Sequence, residues 1–202
     1  MRSHLGLLDM VVLTDAALRM SSCTRDELSD LAGRPRRGAP MLRRALALAD
    51  ERAESAWESM LRMLHVACDV PVEPQHEVFD EAGLFLARAD LWIIGTRTLH
   101  EYDGGAHLTR PRQREDLRRG RGLGNSQWLR RGYTSHEVLK QAVGVLRDAD
   151  LSLGRVHDPR RIRAWHALLA DSLFTAGGTE ALRRRWRLPS TGTGGDRSVA
   201  SA

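Results

Sequence analysis

Between Leu5 and Met20 the apolar residues Leu5, Leu8, Val11, Val12, Ala16 and Leu18 recur near helical spacing and predict an amphipathic helix that must pack on something. Thr24-Arg25-Asp26-Glu27 has the capping-box form, in which a hydroxyl and a carboxylate each satisfy a backbone donor at a helix start. A short second helix through Ala32 follows. The stretch 33–40 is rich in Gly, Pro and Arg, which break helices and resist burial, and it reads as a linker. Met41 to Arg52 is again helical in pattern. Ser55-Ala56-Trp57-Glu58 reads as a second capping box, opening a helix that carries Trp57, Leu61, Leu64 and Val66.

Pro71 and Pro74 end that helix, and the period then shortens. Gln75–Phe79, Leu84–Ile94 and Arg97–Asp103 read as three strands, separated by Asp80-Glu81-Ala82-Gly83 and by Gly95-Thr96. The second is short of charge and therefore central. Gly104-Gly105 releases the chain into a loop, and Pro111 is placed as the first residue of an arginine-rich helix to about Leu123. Gln127 to Tyr133 reads as a fourth strand, and Thr134 or Ser135 caps a helix running to about Ala149. Ile162 to Phe174 predicts a further helix packed through Trp165, Leu168, Leu169 and Phe174, and the Gly/Ser/Thr-rich end from Pro189 is expected to be disordered. Strands and helices together predict an α/β (α+β) fold.

Composition narrows the partners. A chain of 202 residues, 42% hydrophobic and 28% charged, holds one sizeable core with appendages. Its formal charge of +5 attracts polyanions, nucleic acid first among them. Lys140 is the only lysine among 31 basic residues, which restricts the chemistry open to a site. Cys23 and Cys68 have no paired spacing and no His-rich partner motif, so neither a disulfide framework nor a structural zinc site is indicated, and both are expected as buried, reduced thiols. No leader segment and no run near ~18 apolar residues is visible, so a soluble, cytoplasmic protein without membrane contact is expected.

The acidic residues near the second and third strands carry the chemistry. If Gly95-Thr96 is a two-residue hairpin turn, Ile94 pairs with Arg97, and counting outward sets Asp90 opposite Glu101. Alternation places Asp103 on the same face and turns His100 and Tyr102 to the other. Opposed like charges destabilise a sheet, so a fold that keeps them there calls for a divalent cation; oxygen-only ligands suit Mg2+ or Mn2+. The competing reading leaves Asp90 and Glu101 at strand ends in solvent, or paired with arginines.

The run Ala89-Asp90-Leu91, then Glu101-Tyr102-Asp103-Gly104, His107 and Asp116-Leu117-Arg118-Arg119, resembles the pattern D-(x)-E-x-D-G-x-x-H-(x)-D-x-x-R of the DUF559 group of restriction-endonuclease-like proteins. That group belongs to the PD-(D/E)XK superfamily and is related to very-short-patch repair endonucleases; a similar block forms the C-terminal part of AbiE-type antitoxin family proteins. The resemblance covers about Ser55 to Ala149, and the leading helices also look like the middle of the AbiE-type proteins, without their N-terminal winged helix. It implies a restriction-endonuclease-like core, a mixed sheet of about four strands flanked by helices. The expected organisation is an N-terminal helical segment and linker over 1–39, the nuclease core over 40–154, a helical extension over 155–188 and a tail over 189–202.

The resemblance further implies that Asp90 and Glu101 hold the metal, that Asp103 adjoins it, and that Glu58 reaches in from the preceding helix, although Glu58 can equally be only a helix cap. Asp103 stands where the superfamily carries a lysine, so a lysine-based mechanism is excluded at that position. Asp103 or His107 is left to accept the proton. Ser126-Gln127-Trp128 in place of Gly-Trp, and the second glycine at Gly105, depart from the pattern.

Arg112, Arg114, Arg118, Arg119 and Arg121, with Arg110 before them and Arg130 and Arg131 on the fourth strand, lie close in sequence to the acidic cluster. They are candidates for holding a DNA backbone; the competing reading is a solvated helix face balanced by Glu115 and Asp116. The expected function is that of a metal-dependent DNA endonuclease. Its rival is a catalytically inactive DNA-binding or regulatory module of the AbiE-type antitoxin kind, with a toxin as partner.

Overall fold

A computed structural model describes residues 5–104 and 127–186. The arginine-rich helix expected over 111–123, His107, and the tail from Pro189 lie outside the described residues. Helix α1 (Leu7–Arg19) buries Leu8, Val11, Val12 and Leu18, and leaves Ala16 exposed. Its buried face also carries Asp9 and Asp15, each fully hydrogen-bonded. Asp9 accepts from the Ser172 hydroxyl at 2.7 Å and from the Leu173 N–H, tying the first helix to the far end of the chain.

The Thr24–Glu27 capping box forms in full and starts α2 (Arg25–Gly33). After a short turn the chain enters α3 (Ala39–Leu48), which packs on both α1 and α2. This helix stops before the expected Arg52 because Ala49 is extended and Asp50 folds back to bind the Arg52 backbone and guanidinium. Arg25 covers the orphaned carbonyls of Leu46 and Ala49 at its end.

Helix α4 (Ala56–Ala67) is the centre of the molecule. Ser55 caps it by accepting the Glu58 N–H, but the reciprocal bond expected of a capping box is displaced by one residue: the Glu58 carboxylate accepts from Glu54 rather than Ser55. Met60, Leu61, Met63 and Leu64 are buried, together with His65 and Arg62.

The sheet order is β1 (Val72–Phe79), β2 (Phe85–Ile93), β3 (Thr98–Tyr102), β4 (Leu129–Tyr133), mixed in direction. The first three run antiparallel in sequence, and β4 runs parallel to β3. β1 begins earlier than expected, and as an edge strand it tolerates Pro74. The β2–β3 turn differs in kind from the two-residue hairpin: Thr96 N–H donates to the Ile93 carbonyl, and Gly95 supplies the positive φ of 83° that this turn requires. The register is nonetheless the one counted from the sequence, with Leu91 opposite His100 and Trp92 opposite Leu99.

Beyond the sheet, the single helix expected to Ala149 is two, α5 (Ser135–Lys140) and α6 (Ala142–Ser152), because Gln141 leaves the helical region. Likewise α7 (Ile162–Leu169) ends before Phe174, and a turn at Ser172 leads into α8 (Ala176–Trp186). One apolar cluster joins Leu8 and Val11 of α1, the buried face of α4, Leu91 and Ile93 of β2, Leu146 of α6 and Trp165 of α7. A smaller cluster, Val78, Ala87, Ala89 and Leu99 with Trp92 and Trp128 against it, lies on the sheet apart from it. Cys68 is buried as expected, Cys23 is partly exposed on the chain before α2, and both thiols are free. Among the described residues no helix is long and apolar enough to cross a membrane.

Asp15 ties α1 to α4 and α3: its carboxylate accepts from Ser59 Oγ at 2.6 Å, Arg62 Nη2 at 2.8 Å and the Asp50 N–H at 2.8 Å. Arg62 is buried, and its Nε already lacks a partner. Asp15→Ala therefore strands a buried guanidinium, and chemical denaturation should register a loss of about 3 kcal/mol or more. A loss below about 1 kcal/mol would show that the pair does not hold the helices together.

Candidate active site

Asp90 sits where β2 and β3 part. The ladder between them pairs only Leu91–His100 and Trp92–Leu99, and one step further the same register sets Asp90 opposite Glu101. Asp90 Oδ2 accepts the Tyr102 N–H at 2.8 Å, so its side chain enters the ladder in place of a backbone acceptor. Across the other edge of β2, Gln75 breaks the β1 ladder with a φ of 53°, between the Pro74–Leu91 and His76–Ala89 pairs. A non-glycine residue at positive φ is strained. Here the Gln75 amide donates to Glu58 Oε2 at 2.9 Å. β1, β2 and the start of α4 thus meet at the carboxylates.

The electrostatics follow from that meeting. Burial pushes the Asp90 carboxyl up to about 7, and the Glu58 and Glu101 charges push the same way, while the Tyr102 N–H and Arg130 oppose them. Burial also raises Glu58, against the hydrogen bonds it accepts from Glu54, Ser55 and Gln75. Glu58 is thus both a cap residue and a charged neighbour of Asp90.

Glu101 is answered by Arg130 of β4. The guanidinium Nε stands 2.5 Å from Glu101 Oε2, Nη2 reaches the same oxygen, and Nη2 is 3.9 Å from Asp103 Oδ1. Asp103 is well exposed, and it lies over Gly132, where a β-carbon would overlap its carboxylate. The parallel register sets Glu101 beside Gly132 and Leu99 beside Arg130, so a glycine is what leaves room for the acid.

Alternation sends Arg131 away from this cluster. Its guanidinium is 3.4 Å from Asp148 of α6, and it therefore does not join the carboxylates with which its sequence position grouped it. His100 is buried on that same side, as expected of a structural residue. His65 Nδ1 lies 2.7 Å from the Leu61 carbonyl, which only an N–H can satisfy, so Nε2 accepts from His100 Nδ1 at 2.8 Å. His100 Nε2 then faces the Tyr133 hydroxyl, which also reaches Asp148 at 3.1 Å. Burial holds His65 down to about 4 and drives His100 lower still, so both rings are neutral near pH 7. Tyr102 stacks on Trp57 of α4 with centroids 5.3 Å apart.

Of the candidate residues, Glu58, Asp90, Glu101 and Asp103 are brought to one region, and His107, Arg112, Arg114, Arg118, Arg119 and Arg121 lie outside the described residues. Among the described residues no three acidic, histidine or cysteine side chains close into a cation-holding group. Sequence reasoning did not single out Gln75 or Gly132, whereas the competing reading that pairs Glu101 with an arginine is met by Arg130. Alternation alone separates Arg130 from Arg131, but choosing which of the two meets Glu101 needs the β3–β4 register.

No family model, curated protein or solved structure matches the chain.

The raised Asp90 carboxyl carries a sign. Its ordinary value is 3.8 and its folded value about 7, so the folded state binds the proton more tightly. The stability this contributes is complete below pH 4 and is lost as pH rises through about 7. Asp90→Asn keeps an acceptor for the Tyr102 N–H and carries no charge. In EDTA it should be more stable than the parent by about 2 kcal/mol at pH 8, with the difference closing toward pH 4. Parallel pH profiles of unfolding free energy for the two proteins would refute the assignment.

Proposed function

We propose that the chain is a metal-dependent endonuclease-like protein that hydrolyses phosphodiester bonds of DNA. The observation that carries this reading is the crowding of Glu58 and Glu101 around a largely buried Asp90, whose carboxyl is raised to about 7. Like charges gathered at a strand junction are costly, and a divalent cation such as Mg2+ or Mn2+ relieves them. The oxygen-only donors suit such an ion, and the clearance over Gly132 lets Asp103 stand beside them.

Asp90 and Glu101 would hold the cation, with Glu58 adjoining. When bound, such an ion neutralises charge on a phosphate and acidifies water. Asp103, exposed at the lip of the site, is the proton acceptor nearest these groups, and His107 is the second candidate. The formal charge of +5 supports a polyanionic substrate, with Arg112, Arg114, Arg118, Arg119 and Arg121 as the residues to hold its backbone.

One observation favours a second reading. Arg130 already neutralises Glu101, as expected where the carboxylates serve structure and the fold is kept as a DNA-binding or AbiE-type regulatory module, with a toxin as partner.

Supercoiled plasmid incubated with the purified chain in Mg2+, Mn2+ or EDTA separates the two. Metal-dependent nicking that disappears in an Asp90→Ala, Glu101→Ala double variant is expected of the nuclease. Retention of salt-sensitive DNA binding with no cutting in any metal would replace it with the regulatory module.

A further inference from the structure

We infer that a hollow between α1, α3, α7 and α8 is a binding site for a small molecule with an apolar body and an anionic head. None of Glu58, Asp90, Glu101 and Asp103 lines it, so its ligand is separate from the chemistry proposed above.

The hollow measures about 580 Å3, within the range of sites that enclose a small organic ligand. Leu5, Leu7, Met41, Leu168, Leu173 and Leu182 line it, and each is only partly buried. Such a surface is ordinarily removed from water by helices closing on one another. Here the backbone forbids it. Gly6 and Gly178 bring α1 and α8 tightly against the turn after α7: a β-carbon on Gly6 would stand 2.9 Å from the Asp171 carbonyl oxygen, and one on Gly178 would overlap that of Ser172. The turn is itself pinned. Buried Asp9 accepts from Ser172 and Leu173, Thr175 Oγ1 accepts the Gly178 N–H at 3.0 Å, and Thr179 Oγ1 donates to the Leu173 carbonyl at 2.9 Å. At this end the walls already stand at their closest approach, and the apolar hollow beyond is preformed.

The surrounding charge selects the head group. Residues 31–49, which include α3, hold Arg34, Arg36, Arg37, Arg43 and Arg44 and no acid, and α8 carries Arg183, Arg184 and Arg185 against a single Glu180. Arg44 of α3 and Arg185 of α8 both line the hollow, with Asp171 the one acid beside them. Arg44 is exposed, and its guanidinium makes no ion pair or hydrogen bond among the described residues. It is thus open to a carboxylate or phosphate at the mouth while the ligand's apolar body covers the leucines. A cationic head would instead meet like charge.

Octanoate titrated into the full chain and followed by amide chemical shifts tests this, with 1-octanol and octylammonium as neutral and cationic matches of its chain. Octanoate should bind saturably, shifting Leu173 and Leu182 while Asp90 and Glu101 stay in place. It should bind about two- to fivefold more tightly than octanol, and octylammonium more weakly than either. Arg44→Gln should weaken octanoate by the same two- to fivefold and leave octanol unchanged. Arg163→Gln, a charge-matched change on the exposed side of α7 outside the hollow, should alter octanoate affinity by less than about twofold. Ala181→Trp fills the hollow from α8 and should weaken octanoate and octanol alike by more than about tenfold.

Should Ala181→Trp fail to fold, as judged by thermal unfolding, Arg44→Gln decides alone, because Arg44 is exposed and supports no contact within the fold. No saturable octanoate binding, shifts confined to other parts of the chain, equal affinity for octanoate and octanol, or equal octanoate affinity in Arg44→Gln and the parent overturns the inference.

Discussion

A hydrogen bond between two neutral, fully enclosed histidines governs how the helical half of the protein sits on its sheet. His65 of α4 and His100 of β3 meet at 2.8 Å, and the carbonyl of Leu61 dictates which ring nitrogen carries each proton. Leaving either ring unpaired in this apolar interior would cost about 1–3 kcal/mol, so the pair specifies one docking of α4 rather than merely favouring contact. Glu58 stands two helical turns before His65 on the same side of α4. The contact that orients His65 therefore also delivers Glu58 to Asp90. On β3 the same alternation that buries His100 turns Glu101 to the opposite face, where Arg130 reaches it. Tyr133 and Asp148 extend the polar chain to β4 and α6, so both strands that frame the site are positioned by one buried network.

Much of the fold around that pair is legible in the sequence, and the reason is locality. Helix starts at Thr24 and Ser55 are written in residues three apart, and the β2–β3 register depends on a connection so short that an error in its turn type left the pairing intact. Asp90 opposite Glu101 needed nothing more. The buried face of α1 was misread in part because Asp9 and Asp15 look like surface residues until Ser172 and Arg62, far along the chain, arrive to satisfy them. Likewise the direction and register of β4 depend on a long crossover, and no local pattern announces that Arg130 rather than Arg131 would face the carboxylates. The His65–His100 pair was illegible for the same reason: neither residue's neighbours distinguish a core histidine with a partner from one without.

The carboxylates divide into an outer and an inner pair, and the arginine treats them differently. It contacts Glu101 and approaches Asp103, whereas at Asp90 its charge opposes the upward shift less than the Tyr102 N–H does. Burial raises both Asp90 and Glu58, and their hydrogen-bond donors offset it only in part. Near neutral pH the inner pair consequently relieves its repulsion by retaining a proton, the cheapest neutralisation open to two acids in a poor solvent. A proton and a guanidinium together quiet the cluster without any other ion.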